Sequence, residues 1–308
     1  MARNSGWLLL LCACGSVASE KQDAAPAVDS KVIDAAPDTT GPRCDPTKAF
    51  ANLAPLANVN SASSELWGRM SADELTLYFG SNRAGGAGGY DIYTATRSST
   101  TADFGSPTQV ASLATAGDDR SPMPTANGLG MYFSRSPAGQ PTVTDFYLAT
   151  RTSTSTDFTQ SALVPELNSG SEETELYLTE GENVMYFVST RTPSQSYDIW
   201  RATKQTNGVW GQLEIVTAAS GASIEGFPIG SEDGKALYFG SNRTGGSLWQ
   251  VTRPTAGGSF GAASVVTELE TSDDEAPGWL SKDGCVIVFH RNGTGLGQYD
   301  LWMAKRPL

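Results

Sequence analysis

The sequence predicts an all-β protein, a five-bladed β-propeller whose last blade is closed by the N-terminal strand. Three observations lead to this prediction. Apolar residues alternate over short runs bounded by turn residues, without a stripe at helical spacing that lasts three turns. An apolar pair recurs five times at a spacing of 50 to 54 residues, as expected for a repeated structural unit. The fifth repeat ends before an outer strand, and a segment near the start of the domain supplies one.

Composition and charge limit the classes of partner. Residues 44–308 are enough for one domain of ordinary core size. The chain has 33 Asp and Glu against 21 Lys and Arg, which gives a formal net charge of −12. A surface of this sign repels phosphate backbones, so nucleic acid is excluded as an expected partner.

Residues 1–13 are predicted to be a signal peptide. Arg3 precedes the apolar run 7–11, which is too short to span a bilayer as a helix. The run leads into Leu11-Cys12-Ala13-Cys14-Gly15, which resembles the bacterial lipobox and implies that Cys14 is lipidated. An ordinary signal peptide cleaved nearby is the alternative. Gly15, in place of an Asp after the lipidated cysteine, favours the outer over the inner membrane of a bacterial cell envelope.

Residues 14–43 are predicted to be a flexible tether that joins the lipidated Cys14 to a propeller at residues 44–308. The stretch 16–43 is mostly Ala, Pro, Asp, Ser and Thr, so it buries too little apolar surface to offset the entropy lost on ordering. It contains Asp-Ala-Ala-Pro twice, at Asp23–Pro26 and Asp34–Pro37. A docking motif is therefore the alternative to a plain linker.

Three landmarks keep a fixed register through the repeats. The apolar pairs are Tyr78-Phe79, Tyr132-Phe133, Tyr186-Phe187, Tyr238-Phe239 and Val288-Phe289. An acid stands thirteen residues before each pair, at Glu65, Asp119, Glu173, Glu225 and Glu275. An aromatic residue stands fifteen residues before each acid, at Phe50, Phe104, Phe158, Trp210 and Phe260. The length changes therefore fall between an apolar pair and the next aromatic residue, where hairpin loops are expected.

A further strand follows most of the apolar pairs, as in Tyr90-Asp91-Ile92-Tyr93. This strand, with Gly80-Ser81-Asn82-Arg83 before it, and the run Gly-Trp-Leu-Ser-Lys-Asp-Gly at 278–284 resemble the consensus of WD40-like β-propeller repeats of the TolB type. The resemblance covers five repeats from Glu65 to the C-terminus. TolB-type proteins usually have six blades and a separate N-terminal domain, so their translocation role is not implied here.

The register of the N-terminal segment predicts how the ring closes. Phe50–Val59 stands in the same register to Glu65 as the outer strands do to their acids, so it is expected beside Asp300–Ala304 in the fifth blade. Two cysteines remain in the propeller, Cys44 before this strand and Cys285 within the blade that it closes. A disulfide between them would pin the ring shut in an oxidising compartment. Two unpaired thiols, held apart by an intervening strand, are the alternative.

The candidate ligand-binding residues are the acids that open the inner strands: Glu65, Asp119, Glu173, Glu225 and Glu275. Equivalent positions of the inner strands form a ring around the central channel, where five carboxylates would attract a cation or a basic peptide. The alternative is that each acid binds backbone amides of the neighbouring blade. No cofactor is expected beyond such a channel cation, and the sequence does not identify a metal. The lone histidine, His290, is interpreted as a packed residue.

The expected function is that of a cell-envelope lipoprotein, a non-catalytic binding or scaffold module for a protein or glycan partner. Its only membrane contact would be the lipid anchor. Recognition is expected in variable segments such as Ser136–Thr144 and Thr192–Tyr197. The alternative is a five-bladed-propeller glycoside hydrolase that uses inner-strand carboxylates, which would need acids in unlike environments. The third repeat, with Glu172, Glu173 and Glu175, departs from the otherwise equivalent acids.

Overall fold

The structure is a computed structural model that describes residues 42–194, 196–244, 247–293 and 297–308. The predicted signal peptide 1–13, the predicted lipidation site Cys14 and nearly all of the predicted tether 14–43 lie outside the described residues. Within the described ranges, no helix is long and apolar enough to cross a bilayer.

Twenty strands of the described chain form five antiparallel four-stranded sheets, and each sheet is one blade. Blade I contains β2 (Glu65–Met70), β3 (Thr76–Ser81), β4 (Asp91–Thr96) and β5 (Thr108–Gln109). Blade II contains β6 (Asp118–Pro124), β7 (Gly130–Ser136), β8 (Asp145–Thr150) and β9 (Gln160–Leu163). Blade III contains β10 (Glu173–Thr179), β11 (Val184–Ser189), β12 (Asp198–Lys204) and β13 (Trp210–Ile215). Blade IV contains β14 (Glu225–Gly230), β15 (Ala236–Ser241), β16 (Leu248–Thr252) and β17 (Ser264–Val265). Blade V contains β18 (Glu275–Leu280), β19 (Val286–Asn292) and β20 (Tyr299–Lys305), with β1 (Ala51–Pro55) as its outer strand.

The prediction of a five-bladed β-propeller closed by its N-terminal strand is confirmed. β1 pairs antiparallel with β20, so that Ala51 lies opposite Lys305 and Pro55 opposite Trp302. This pairing gives blade V its fourth strand. It also covers the edge that β20 would otherwise expose.

A disulfide reinforces the closure. It joins Cys44, which precedes β1, to Cys285, which precedes β19, with the two Cα atoms 5.6 Å apart. The bonded residues are 241 positions apart in the sequence. A closed loop of this size stabilises the fold by roughly 5 kcal/mol in the chain-entropy description. Of the two alternatives for these cysteines, the structure has the bonded one.

Burial and stacking explain two of the sequence landmarks. The phenylalanines of the five apolar pairs have 0% exposed surface, because each lies on the second strand, inside its blade. The aromatic residues before the acids each lie under a cation from the end of the third strand. Cation-to-ring distances are 4.7 Å for Arg97 and Phe104, 4.5 Å for Arg151 and Phe158, 4.9 Å for Lys204 and Trp210, 4.3 Å for Arg253 and Phe260, and 4.0 Å for Arg306 and Phe50. Cation–π attraction of this kind joins the two outer strands of a blade.

Each inner strand is irregular two or three residues after its acid. The pairing of first and second strands shifts register two residues after the acid in blades I to IV, and between Pro277 and Trp279 in blade V. We call the five residues two positions after the acids the axial positions: Trp67, Ser121, Glu175, Phe227 and Pro277. The first four have positive φ angles between 50° and 60°, whereas the proline ring keeps φ negative in blade V. A bulge of this kind re-aims the side chain that it carries.

Candidate functional site

The five predicted ligand-binding acids lie in buried ion pairs, one in each blade. The pairs are Glu65–Arg83 at 2.9 Å, Asp119–Arg135 at 2.6 Å, Glu173–Arg191 at 2.9 Å, Glu225–Arg243 at 2.8 Å and Glu275–Arg291 at 2.9 Å. All five carboxylate side chains have 0% exposed surface. Each charge is therefore balanced within its own blade.

The same ion pairs fasten neighbouring blades to one another, as blade III shows. Glu173 accepts hydrogen bonds from the backbone amide of Ser169 at 2.9 Å and from its hydroxyl at 2.6 Å. Ser169 belongs to the connection from blade II. Arg191 donates to the carbonyl of Leu167 in that connection and lies 5.1 Å from the centroid of the Phe187 ring. Each unit thus binds the carboxylate, the incoming chain and an aromatic core residue together.

Backbone amides of the incoming connection donate to three of the five acids, Glu65, Asp119 and Glu173, which is the kind of contact that the alternative expects. The hypothesis of a channel cation held by all five carboxylates gains no support from it. In the part of the chain that the structure describes, no three His, Cys, Asp or Glu side chains are close enough to hold a metal ion.

The axial positions meet at the centre of the propeller. Trp67 of blade I stacks on Phe227 of blade IV with ring centroids 6.2 Å apart. Blades I and IV are not neighbours, so this contact crosses the axis. Phe227 also lies 4.4 Å from His290 of blade V, edge to face. His290 is 2% exposed, so the structure places it as a packed residue.

A cavity of about 450 Å³ opens where the inner strands begin, and we call it the axial cavity. Its volume lies in the range of small-molecule sites. Four of its lining residues are aromatic: Trp67, Tyr197, Phe227 and Tyr299. Its polar lining includes Arg120, Glu172, Glu175 and His290.

Glu175 is the carboxylate among the axial positions. It lines the axial cavity, and its Oε2 accepts a hydrogen bond from the Phe227 amide at 2.6 Å. Burial raises the pKa of Glu175 to about 7, although the Phe227 amide favours the ionised form. The side chain is therefore divided between its neutral and ionised forms near pH 7.

Residues of two variable segments form hydrogen bonds with the wall of the axial cavity. The hydroxyl of Tyr197 donates to Glu172 at 2.6 Å, and this bond, together with burial, raises the pKa of Tyr197 to about 12. Arg120 donates to the carbonyl of Pro141 at 3.0 Å and to the hydroxyl of Thr144 at 3.1 Å. Pro141 and Thr144 of one variable segment and Tyr197 of the other are thus bonded to residues of the cavity wall.

Arg69 fills the channel below the axial cavity. It is 0% exposed, and its guanidinium lies 5.1 Å from the ring centroid of Tyr177, on the far side of the axis. Burial lowers the pKa of Arg69 to about 10 and that of His290 to about 3. The arginine stays charged and the histidine stays neutral at physiological pH. A second cavity, of about 340 Å³, lies where the inner strands end.

The sequence analysis placed the ligand site on all five acids, of which Glu225 and Glu275 line the axial cavity. It did not single out three axial positions that line the cavity as well: Trp67, Glu175 and Phe227. A signal was present, because Trp, Ser, Glu, Phe and Pro occupy these five equivalent positions. Glu175, noted as part of the irregular third repeat, is one of them.

Comparison with known proteins places the chain by fold alone. No protein-family model and no curated protein sequence matches it. Solved structures with a similar fold include TolB from Acinetobacter baumannii, with a TM-score of 0.51 and 16% identity over 80% of this chain. The chain spans 55% of the length of that TolB.

Glycoside hydrolases are also similar in structure. A thermostable family-43 glycoside hydrolase has a TM-score of 0.54 and 13% identity, over 81% of this chain and 91% of that one. An α-L-arabinofuranosidase from Podospora anserina, in complex with cellotriose, has a TM-score of 0.52 and 12% identity, over 85% and 98%. These proteins share the propeller fold with this chain.

Proposed function

We propose that this protein is a non-catalytic binding module of a bacterial cell envelope, and that the axial cavity holds a glycan. The observation that carries the proposal is the lining of the cavity. Trp67, Phe227 and Tyr197 offer aromatic faces, and Arg120 and Glu172 stand beside them as donor and acceptor. A sugar ring presents apolar C–H groups to an aromatic face and hydroxyls that both donate and accept hydrogen bonds.

The balance of charge favours binding over catalysis. Hydrolysis of a glycosidic bond requires two carboxylates with separate roles at the reacting bond. The five inner-strand acids are each paired with an arginine of their own blade, so each carboxylate already has a charged partner within the fold. Their equivalence in every blade is the mark of a structural role.

The test is a titration of the purified propeller with cellotriose, maltotriose and N,N′-diacetylchitobiose, followed by tryptophan fluorescence and calorimetry. Saturable binding of at least one saccharide is expected, and Phe227→Leu should weaken it tenfold or more. Lys282→Ala is the matched control, because Lys282 lines the cavity at the other end of the channel. This variant should bind as the wild type does.

A protein partner is the competing outcome of that test. It would be shown by a protein that co-purifies with the intact chain and is lost when the segment 136–144 is deleted, while none of the three saccharides binds. That result would overturn the glycan proposal.

Catalysis is the second candidate, favoured by one observation. Glu175, whose pKa burial raises to about 7, shares the axial cavity with Glu172, and a carboxyl group with such a pKa is suited to general-acid catalysis. Turnover of aryl glycosides that Glu175→Gln abolishes would replace the non-catalytic proposal. Glu173 is not a candidate for that role, because it is held by Arg191 and Ser169.

The envelope location rests on the sequence and on one structural feature. Cys14 follows a lipobox-like run, and the Cys44–Cys285 disulfide is typical of an oxidising compartment. We propose that a lipid on Cys14 anchors the chain in the outer membrane. We expect the wild type to incorporate a labelled fatty acid and Cys14→Ala to incorporate none. Equal labelling of the wild type and the variant would contradict the proposal.

A further inference from the structure

Aromatic residues and carboxylates lie side by side in the wall of the axial cavity. Six residues that line the cavity and keep part of their surface exposed form three such pairs: Tyr197 with Glu172, Phe227 with Glu175, and Tyr299 with Asp274. The hydroxyl of Tyr197 donates to Glu172 at 2.6 Å, and the backbone amide of Phe227 donates to Glu175 at 2.6 Å. A ligand in the cavity can therefore contact an aromatic ring and a carboxylate together.

The carboxylates of these three pairs have no cationic partner. Asp274 stands close enough to Tyr299 that its charge, after burial, raises the pKa of the tyrosine hydroxyl. No salt bridge between described residues includes the carboxylate of any of the three pairs. By contrast, Glu225 and Glu275 of the same wall are each paired with an arginine of their own blade.

Little positive charge in the cavity wall balances the three carboxylates. Within the described ranges, Arg120 is the one Arg or Lys of this wall. It lies 3.9 Å from Asp118 and donates to the carbonyl of Pro141. His290 lines the cavity too, with an Nδ1 that has no hydrogen-bond partner among the described residues, and burial lowers its pKa to about 3. This histidine is neutral at pH 7, so the wall carries a net negative charge.

We infer that the saccharide held in the axial cavity is an amino sugar, bound through its ammonium group by the aromatic rings and by the three carboxylates that lack a cationic partner. The inference rests on the proposed function and names the class of saccharide. The face of an aromatic ring attracts a cation, and a carboxylate attracts it more strongly where the surroundings exclude water. A sugar with an acetylated amine can still stack on the rings, but it brings no charge to the carboxylates.

The test compares chitobiose, which has free amino groups, with N,N′-diacetylchitobiose, in which the same groups are acetylated and neutral. Calorimetry at pH 7 and low salt should show that the wild type binds chitobiose at least about tenfold more tightly. This preference should shrink at high salt, because dissolved ions screen the attraction between ammonium and carboxylate. The affinity for neutral saccharides should stay the same.

The double variant Glu172→Gln/Glu175→Gln tests whether the carboxylates cause the preference. Each glutamine keeps an oxygen that can accept the hydrogen bond from Tyr197 or from Phe227, so two charges are removed without a change of shape. The preference for chitobiose should fall to about threefold or less. A cooperative unfolding transition shows that the variant is folded. If it is not folded, Asp274→Asn, at an exposed position, takes its place and should reduce the preference by about threefold.

Glu232→Gln is the matched control. Glu232 also accepts a backbone amide, that of Gly181 at 2.8 Å, but it lines the second cavity. This variant should keep the full preference for chitobiose, and a loss equal to that of the double variant would overturn the inference.

Two further outcomes decide against the amino sugar. One is equal affinity of the wild type for chitobiose and N,N′-diacetylchitobiose, and the other is a full preference in the folded carboxylate variant. Either result overturns this inference and leaves the proposed function standing. Failure of the wild type to bind any of the four saccharides, which are cellotriose, maltotriose and the two chitobioses, overturns both.

Discussion

Two sets of inner-strand residues, only two positions apart in sequence, have different roles in this propeller. The acids of the five ion pairs occupy equivalent places, and each binds an arginine of its own blade. The axial positions are equally equivalent in the backbone, but they carry an indole, a hydroxyl, a carboxyl, a phenyl ring and a proline. In a repeat protein, the positions that stay alike hold the units together, and those that differ are free to recognise a ligand.

The largest expected effect comes from breaking one ion pair. Arg191→Ala should lower the free energy of unfolding by about 3–5 kcal/mol, because it leaves the buried charge of Glu173 without its partner. Urea unfolding measures the change. Lys235→Ala is the control, since its pair with Asp233 has side chains 52% and 58% exposed and should cost less than about 1 kcal/mol. Equal losses in the two variants would remove the structural role assigned to the ion pairs.

The second effect tests an axial position through pH. The pKa of Glu175 is about 7 in the folded protein and about 4.5 when unfolded, so its contribution to stability is complete below pH 4.5 and is lost as the pH rises through 7. The difference in free energy of unfolding between the wild type and Glu175→Gln should therefore fall by about 1–3 kcal/mol between pH 4.5 and pH 8. His290 titrates in the opposite sense, with a lowered pKa, and the subtraction removes it. A difference independent of pH would refute the raised pKa.

The third effect concerns a single hydroxyl of the ion-pair units. Ser169→Ala removes the 2.6 Å hydrogen bond to Glu173 and should destabilise the protein by about 1 kcal/mol. Saccharide binding should not change, because neither residue lines the axial cavity. Ser155→Ala, at an exposed position of blade II, is the control with a change below about 0.5 kcal/mol. A loss of saccharide binding in Ser169→Ala would contradict the assignment of a purely structural role to this ion-pair unit.

The smallest effect on stability is expected at the cavity mouth. Tyr197→Phe removes the hydrogen bond to Glu172 but keeps the ring, so the free energy of unfolding should change by less than about 1 kcal/mol. Saccharide affinity should nevertheless fall severalfold, because Glu172 loses the donor that orients it. Calorimetry on both proteins at pH 7 gives the comparison, and unchanged affinity would place Tyr197 outside the site.

The sequence was enough to predict the fold because the fold depends on register. Five acids, 50 to 54 residues apart, set the number of blades, and the spacing of Phe50 from Glu65 identified the closing strand. The partners of the acids could not be read in the same way. Their arginines stand 16 residues later in blades II and V but 18 later in the other three blades, because a long side chain reaches the same carboxylate from either place.

The lining of the axial cavity could not be predicted from the sequence, because it depends on the local backbone conformation. The acids were assigned to the channel because they open the inner strands, which line it. The bulge after each acid breaks the alternation of side chains along the strand. In four blades the residue at the bulge has a positive φ, which the pattern of apolar residues in the sequence does not predict. Glu175 was noted in the sequence as part of the irregular third repeat, but only the structure shows that it lines the axial cavity.

The closing disulfide determines how a mechanical load enters the molecule. A pull on the residues before Cys44 reaches the covalent bond to Cys285 before it reaches the hydrogen bonds between β1 and β20. The force passes directly to the start of β19, the second strand of blade V, and the edge strand β1 is not peeled away. A load applied through the N-terminal residues would therefore act on blade V as a whole.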